Sequence, residues 1–386
     1  MTSNSADQGG DQPGAASKPI VAKTASEALR PQAGTPPPRR SKRSRSQFVV
    51  FLNFVMSAVV LVAIAGFAAV WYGKHLFETQ GPLPTADTVM VRDGAGSIEI
   101  AELLERRGMI TDARVFRLGL RAHENDSRLR AGEYAIPAHA SMRDIMDLLV
   151  SGRSILHSVT IPEGLTVMQA LKRIEEAEHL AGDMPAEPLE EGMLAADTIR
   201  FSRGMQRQEV IARLKADQKT LVESIWARRS PDLPLKDLNE FVTLASIVEK
   251  ETGRGDERSR VASVFINRLK KGMRLQSDPT IVYGIFGGEG KPSDRPIYRS
   301  DIDKPTPYNT YTINGLPPGP IAIPGRASLE AVANPSKTDD LYFVADGTGG
   351  HVFAKTLEDH NANVARWRQI ERQRAAAAGE AATSEE

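Results

Sequence analysis

The hydrophobic pattern along the chain begins with one uninterrupted run. From Phe48 to Tyr72 the sequence FVVFLNFVMSAVVLVAIAGFAAVWY is apolar on all sides and carries no charge. About 20 such residues cross a bilayer core, so the run predicts a transmembrane helix. Trp71 and Tyr72 stand where an interfacial aromatic belt belongs. A buried globular helix is the competing reading, but nothing flanking the run offers it a partner. A cleaved signal peptide has a shorter apolar core nearer the N-terminus.

Three later stretches repeat one arrangement of strand, Pro or Gly turn, Ser or Thr cap, and helix. In VMVRDGAGSIEIAELLERRGMI the turn falls at Gly94–Gly96, with Ser97 as N-cap and Gly108 as stop. Ile98, Ile100, Ala101, Leu103 and Leu104 mark its inner side. EYAIPAHASMRDIMDLLVSGR from Glu133 and SVTIPEGLTVMQALKRIEEAEHL from Ser158 echo it. Repeated strand-helix units predict a compact α+β module. It reads either as a spacer or as a carbohydrate-binding module.

Helical periodicity dominates the rest. From Gln206, the residues Val210, Leu214, Leu221, Ile225 and Trp226 lie near one stripe, and Pro231 and Pro234 close the segment at a domain boundary. Asp237 starts another helix, with Phe241, Leu244, Ile247 and Val248 at i, i+3, i+4 spacing. The next stripe position is Glu251, in the last turn before Gly253. Glu249 falls roughly 140° from the stripe centre and is expected in solvent. A further helix, ERSRVASVFINRLKKGM, turns Val261, Val264, Phe265 and Leu269 inward. DLYFVADGTGGHVFA reads as a β-hairpin.

Charge adds direction to this picture. Residues 1–38 are rich in Pro, Gly, Ser, Ala and Thr, a composition that cannot offset ordering entropy and predicts disorder. Arg39, Arg40, Lys42, Arg43 and Arg45 follow, directly before the apolar run. Lys and Arg stay on the cytoplasmic side, so the N-terminus is expected inside and the body outside the cytoplasm. The net charge is zero, which argues against nucleic acid as a partner. The absence of cysteine excludes disulfides, thiolate metal sites and thiol nucleophiles.

The candidate chemistry centres on Glu251. Partial burial and the negative end of the helix dipole both favour the protonated carboxyl, as a general acid requires. The structural alternative is a pairing with Arg254, Arg258 or Arg268. In RLQSDPTIVYGI, Gln276 and Asp278 are polar candidates, and Pro279 is expected to hold Asp278 extended. TPYNTYTINGLPPGPIAIPG is a stiffened loop of amide, hydroxyl and aromatic groups that suits a cleft. His351, and His360 with Asp359, fit no common zinc spacing, so no metal is expected. No P-loop, dinucleotide fingerprint or nucleophile elbow is present in the sequence.

Together, VEKETG, ASVFINRL, LQSDPTIVYG, YNTY, GLPPGPI, YFVADGTGGHVF and EDHN resemble the YceG-like family of endolytic murein transglycosylases. The resemblance is dense from about residue 240 to 365 and looser from 88 to 165, where the family has a LysM-like module. It implies a bitopic inner-membrane enzyme that cleaves the β-1,4 bond between N-acetylmuramic acid and N-acetylglucosamine in nascent peptidoglycan. It also implies 1,6-anhydro product ends, no cofactor, and Glu251 as the catalytic acid. Gln276, Asp278, Tyr308, Asn309, Tyr311 and His351 lie in matching motifs and are expected to line the substrate cleft. The partners implied are glycan strands, the lipid bilayer and peptidoglycan synthases.

The sequence departs from the family at Glu191–Ile199, which lacks a proline and a tyrosine, and at Ile323-Pro324-Gly325. The expected architecture is α+β. A cytoplasmic tail (1–47) precedes a transmembrane helix (48–72), a linker (73–87) and the LysM-like module (88–165). A linking helical region (166–235), a catalytic domain (236–370) and a C-terminal tail (371–386) follow. A non-catalytic peptidoglycan-binding scaffold and a hydrolytic muramidase are the rival functions.

Overall fold

A computed structural model of the protein describes residues 47–383, so the expected disordered tail and basic cluster lie outside the described residues. The chain divides into two units, residues 1–72 and 73–386. Helix α1 (Gln47–Glu78) is long and apolar enough to cross a membrane. Its apolar side chains from Phe48 to Tyr72 are largely exposed.

The second unit is α+β and holds three successive hydrophobic cores. In the first, β1 (Asp87–Val91), α2 (Ser97–Arg106), α3 (Ala113–Ala122), β2 (Gly132–Ile136) and α4 (Met142–Ser151) follow in order. The strands pair antiparallel from Asp87↔Ile136 to Val91↔Gly132. Ile100, Ala101 and Leu104 of α2 are buried, but Ile98 is exposed, against its expected inward position. Gly96 rather than Ser97 caps α2, and no side chain bonds the cap. At α4 the cap is a capping box of Ser141 and Asp144, and Gly152 takes the left-handed conformation after it (φ 69°). Phe77, from the end of α1, is buried in this core against Phe116. Gly119 leaves the space for its ring.

The second core is built on β3 (His157–Thr160) and β4 (Thr198–Phe201), paired antiparallel. The third strand-helix unit of the sequence therefore joins a sheet whose other strand lies in the segment after it. Helix α5 (Val167–Glu175) packs here, with a capping box of Thr166 and Gln169. Val210, Ile211 and Leu214 of α6 (Arg207–Trp226) complete this core, while Val222 and Ile225 of the same helix enter the third.

The third core surrounds α7 (Leu238–Glu251). Asp237 caps its start, accepting from Glu240 N at 2.9 Å. Phe241, Leu244, Ile247 and Val248 are fully buried, each such side chain contributing about 1.5–3 kcal/mol. They meet α8 (Arg258–Lys270) and α11 (Arg326–Ala333), labelled with α9 (Asp278–Phe286) and α10 (Arg299–Ile302) between them in the chain. The expected hairpin forms as β5 (Tyr342–Ala345) and β6 (His351–Ala354). Helix α12 runs from Leu357 to Thr383, through residue 371 where the sequence pattern predicts a tail.

Candidate active site

Helix α7 ends at Glu251 because Thr252 is extended (φ −144°, ψ 128°), one residue before the expected stop at Gly253. Glu251 is half-buried as a residue, with part of its surface open to solvent. Its carboxyl accepts a hydrogen bond from Ser277 Oγ. Burial pushes its pKa from 4.5 up to about 7; the Ser277 hydrogen bond opposes the rise, Asp278 adds to it, and Arg268 opposes it. None of the three candidate arginines pairs with it. Arg254 engages Asp256 at 2.6 Å, Arg258 lies 3.8 Å from Glu249, and Arg268 donates to the carbonyls of Leu341 and Leu275.

Ser277 is placed by a local distortion. Gln276, just before it, has a left-handed backbone (φ 53°), uncommon for a residue with a side chain. That turn buries Ser277 while leaving Gln276 and Asp278 exposed. Ser277 N donates to Thr310 Oγ1 at 2.9 Å, and Thr280 Oγ1 donates to Ser277 O at 2.6 Å. Thr280 and Thr310 are themselves joined at 2.8 Å. Two buried threonines, Thr280 and Thr310, thus fix the partner of Glu251.

Asp278 opens α9 and is not held extended by Pro279; the extended residue is Ser277 (ψ 121°). Proline lacks an N–H where a helix has no acceptor for one, so the first turn accepts it. Tyr311 donates its hydroxyl to Asp278 Oδ1 at 2.7 Å. Burial, then that bond to Asp278, keep the Tyr311 phenol protonated well above its ordinary range. Tyr308 stacks at a tilt on Tyr283, centroids 4.8 Å apart.

Asn309 does not face a cleft. It is 1% exposed, and its amide donates to Ile302 O and Lys304 O while its oxygen accepts from Tyr311 N. It organises the loop that presents Tyr308 and Tyr311. His351 lies on β6 with Nδ1 2.8 Å from Glu257 Oε2, its ring edge-on to Phe343.

Glu249 departs from the helical-wheel expectation. Its side chain is only 7% exposed. Its Oε2 accepts from Gly325 N at 3.0 Å and Ser328 Oγ at 2.7 Å. The loop after β3 covers it from the other side. Glu163 on that loop is raised in pKa by burial and then by the Glu249 carboxylate, with Arg258 opposing. The loop is stapled in place by Gly164 N to Ile323 O at 2.9 Å and Ile323 N to Leu165 O at 2.7 Å. The Ile323-Pro324-Gly325 departure therefore sits at this staple, where a side chain at Gly325 would strike Glu163.

Glu191, from the other departing segment, is also part of the wall. Its carboxyl accepts from Val167 N at 2.6 Å and Tyr283 OH at 3.2 Å, and burial raises its pKa. The sequence carries a signal for Ser277 that points to its place: a Ser before Asp-Pro is a helix start. No periodicity marks Glu191 or Glu163, because both sit in irregular loops.

Glu251, a half-buried carboxyl of raised pKa next in the fold to the tyrosine-bonded carboxylate of Asp278, is an arrangement for proton transfer to a bound substrate. The chain belongs to the YceG-like family, whose model matches residues 89–366. It is 30% identical over 320 residues to the endolytic murein transglycosylase of Bacillus subtilis (strain 168), covering 75% of this chain and 87% of that protein. It is 29% identical over 361 residues to the endolytic murein transglycosylase of Streptococcus pneumoniae (strain ATCC BAA-255 / R6), covering 81% of this chain and 64% of that one. A solved structure of a YceG-like protein from Listeria monocytogenes aligns with TM-score 0.45 and 28% identity, over 72% of this chain and 98% of that one.

Proposed function

We propose that this protein is a membrane-anchored endolytic lytic transglycosylase of peptidoglycan. It cleaves the β-1,4 bond between N-acetylmuramic acid and N-acetylglucosamine within nascent strands and so terminates their elongation. The observation that carries the reading is Glu251, a carboxyl whose pKa is raised to about 7 by burial and whose position is fixed by Ser277. Similarity to proteins named endolytic murein transglycosylase supports it.

Glu251 donates its proton to the leaving oxygen as the muramyl C1–O bond breaks. The muramyl C6 hydroxyl closes on C1, and the Glu251 carboxylate takes the hydroxyl proton. The acid is thereby regenerated, no water is consumed, and a 1,6-anhydro end is left. This acid-to-base alternation is the one retaining glycosidases use, with the substrate supplying the nucleophile. Gln276, Asp278, Tyr308 and Tyr311 contact the strand, Asn309 positions the tyrosines, and His351 borders the site from the hairpin. No cofactor takes part.

The β1-α2-α3-β2 module is read as a LysM-like unit that holds glycan. Helix α1 serves as a single-pass inner-membrane anchor, with the N-terminus cytoplasmic and the catalytic body periplasmic. Peptidoglycan synthases are the proposed protein partners. The test is digestion of uncrosslinked glycan strands in ¹⁸O-labelled water, read by mass. Unlabelled 1,6-anhydro ends are expected; label at the new muramyl ends, with no anhydro product, would make the enzyme a muramidase.

A further inference from the structure

A groove of about 440 Å³ is lined by chain neighbours of Glu251 and Ser277, and the chemistry above leaves its two lysines unused. Two of its lining residues are chain neighbours of the catalytic pair: Lys250 adjoins Glu251 and Asp278 adjoins Ser277. Pro279, Val282 and Ile321 give it apolar surface. Its wall is set in place by α5, where Thr166 Oγ1 donates to Gly288 O and Gln169 Nε2 to Glu289 O at 3.1 Å. The groove is therefore held between the second and third cores before any ligand arrives.

Lys250 and Lys291 both line it. Lys250 Nζ donates to Gly164 O at 3.1 Å, and Lys291 Nζ donates to the carbonyls of Pro292, at 2.9 Å, and Arg295. Backbone carbonyls hold each ammonium in place without neutralising it. The groove has two acids of its own. Asp278 accepts from the Tyr311 hydroxyl, and Glu289 is exposed at the rim. An ammonium already oriented by a carbonyl loses less side-chain entropy when a carboxylate arrives.

We infer that this groove seats the anionic peptide carried by the muramyl residue at the cleavage point, with Lys250 and Lys291 receiving its carboxylates. The inference rests on the murein reading above. It makes the enzyme selective for strands that still carry their peptides, through charge rather than through sugar contacts. The expected preference is about tenfold in kcat/KM, the size of one charge-assisted hydrogen bond at a part-exposed site.

The test compares uncrosslinked strands bearing peptides with the same strands stripped of peptide by an amidase. Wild type should cut the peptide-bearing strands about tenfold more efficiently. The double variant Lys250→Met/Lys291→Met should bring the ratio of the two efficiencies to about one. The charge-keeping variant Lys250→Arg/Lys291→Arg should preserve the preference. A wild-type ratio near one would overturn the inference. So would a methionine variant that keeps the wild-type ratio, or an arginine variant that loses it. A wild type that cuts neither substrate would overturn the murein reading itself, and this inference with it.

Discussion

Ser277 donates its hydroxyl to Glu251, across 26 residues of sequence. The serine is anchored through its own N–H and carbonyl to Thr310 and Thr280. The hydrogen bond stabilises the carboxylate against burial, so it tunes the acid as well as aiming it.

Ser277→Ala should raise the Glu251 pKa above about 7, since it removes an interaction that lowers it. The alkaline limb of the pH–rate profile should move upward. The rate at the optimum should fall about 10- to 100-fold, as for loss of one hydrogen bond to a charged group. Ser277→Thr should restore much of the rate. An unmoved alkaline limb in Ser277→Ala would show that the hydroxyl does not set the acidity.

Glu251→Gln should abolish cleavage, with a loss of about 10²–10⁴-fold or more, because an amide cannot donate the proton. In wild type, activity should decline as pH rises through about 7, where Glu251 loses its proton. Substantial turnover by the Gln variant, measured as new strand ends by mass spectrometry, would move the acid elsewhere.

The same group makes stability depend on pH. Its folded pKa of about 7 lies above its ordinary 4.5, so the folded state binds this proton more tightly. That contribution is fully present below about pH 4.5 and is lost as pH rises through about 7. The loss is on the order of 3 kcal/mol. Urea unfolding of the body from Gly73 onward should show it between pH 4.5 and 8, and Glu251→Gln should flatten that interval. Parallel profiles for the two proteins would give Glu251 an ordinary pKa.

Glu249 should matter for stability rather than proton transfer. Glu249→Ala removes the acceptor for Gly325 N and Ser328 Oγ and the anion facing Arg258. A cost of about 3 kcal/mol is expected in urea unfolding, and Glu249→Gln should cost less by keeping an oxygen acceptor. An unfolding midpoint unchanged in both variants would contradict the buried position.

The proposed anchor has its own check. A reporter active only outside the cytoplasm, fused after Glu386, should be active in cells. Activity of a cytoplasm-only reporter there would reverse the proposed orientation.

The pattern of hydrophobic positions revealed α7, its buried stripe and the completing position of Glu251, because a 3.6-residue period is written locally. The expected Ser or Thr caps are found at Ser141 and Thr166, but not in the first unit, where Gly96 takes the place. Glu249 was misplaced because a helical wheel gives an angle but not what lies at that angle; here two loops remote in sequence cover it. The β3–β4 pairing was equally hidden, since Val159 finds Ile199 across 40 residues with no hairpin turn between them. Asn309 is expected in the cleft only because it lies in a motif matching the family, and a motif does not say which of its residues face inward: the Asn309 amide closes the loop from within.

Helix α6 gives its first turns to one core and its last turns to the next. A fragment starting at residue 236 would therefore begin with a wound: Phe241 would lose Trp226 as a neighbour, and the sites of Val222 and Ile225 would stand open to water. Packing shared along one helix couples the unfolding of the two regions. A soluble fragment that begins before β3 keeps both sets of contacts, so the chain is divisible in its sequence but shared in its packing.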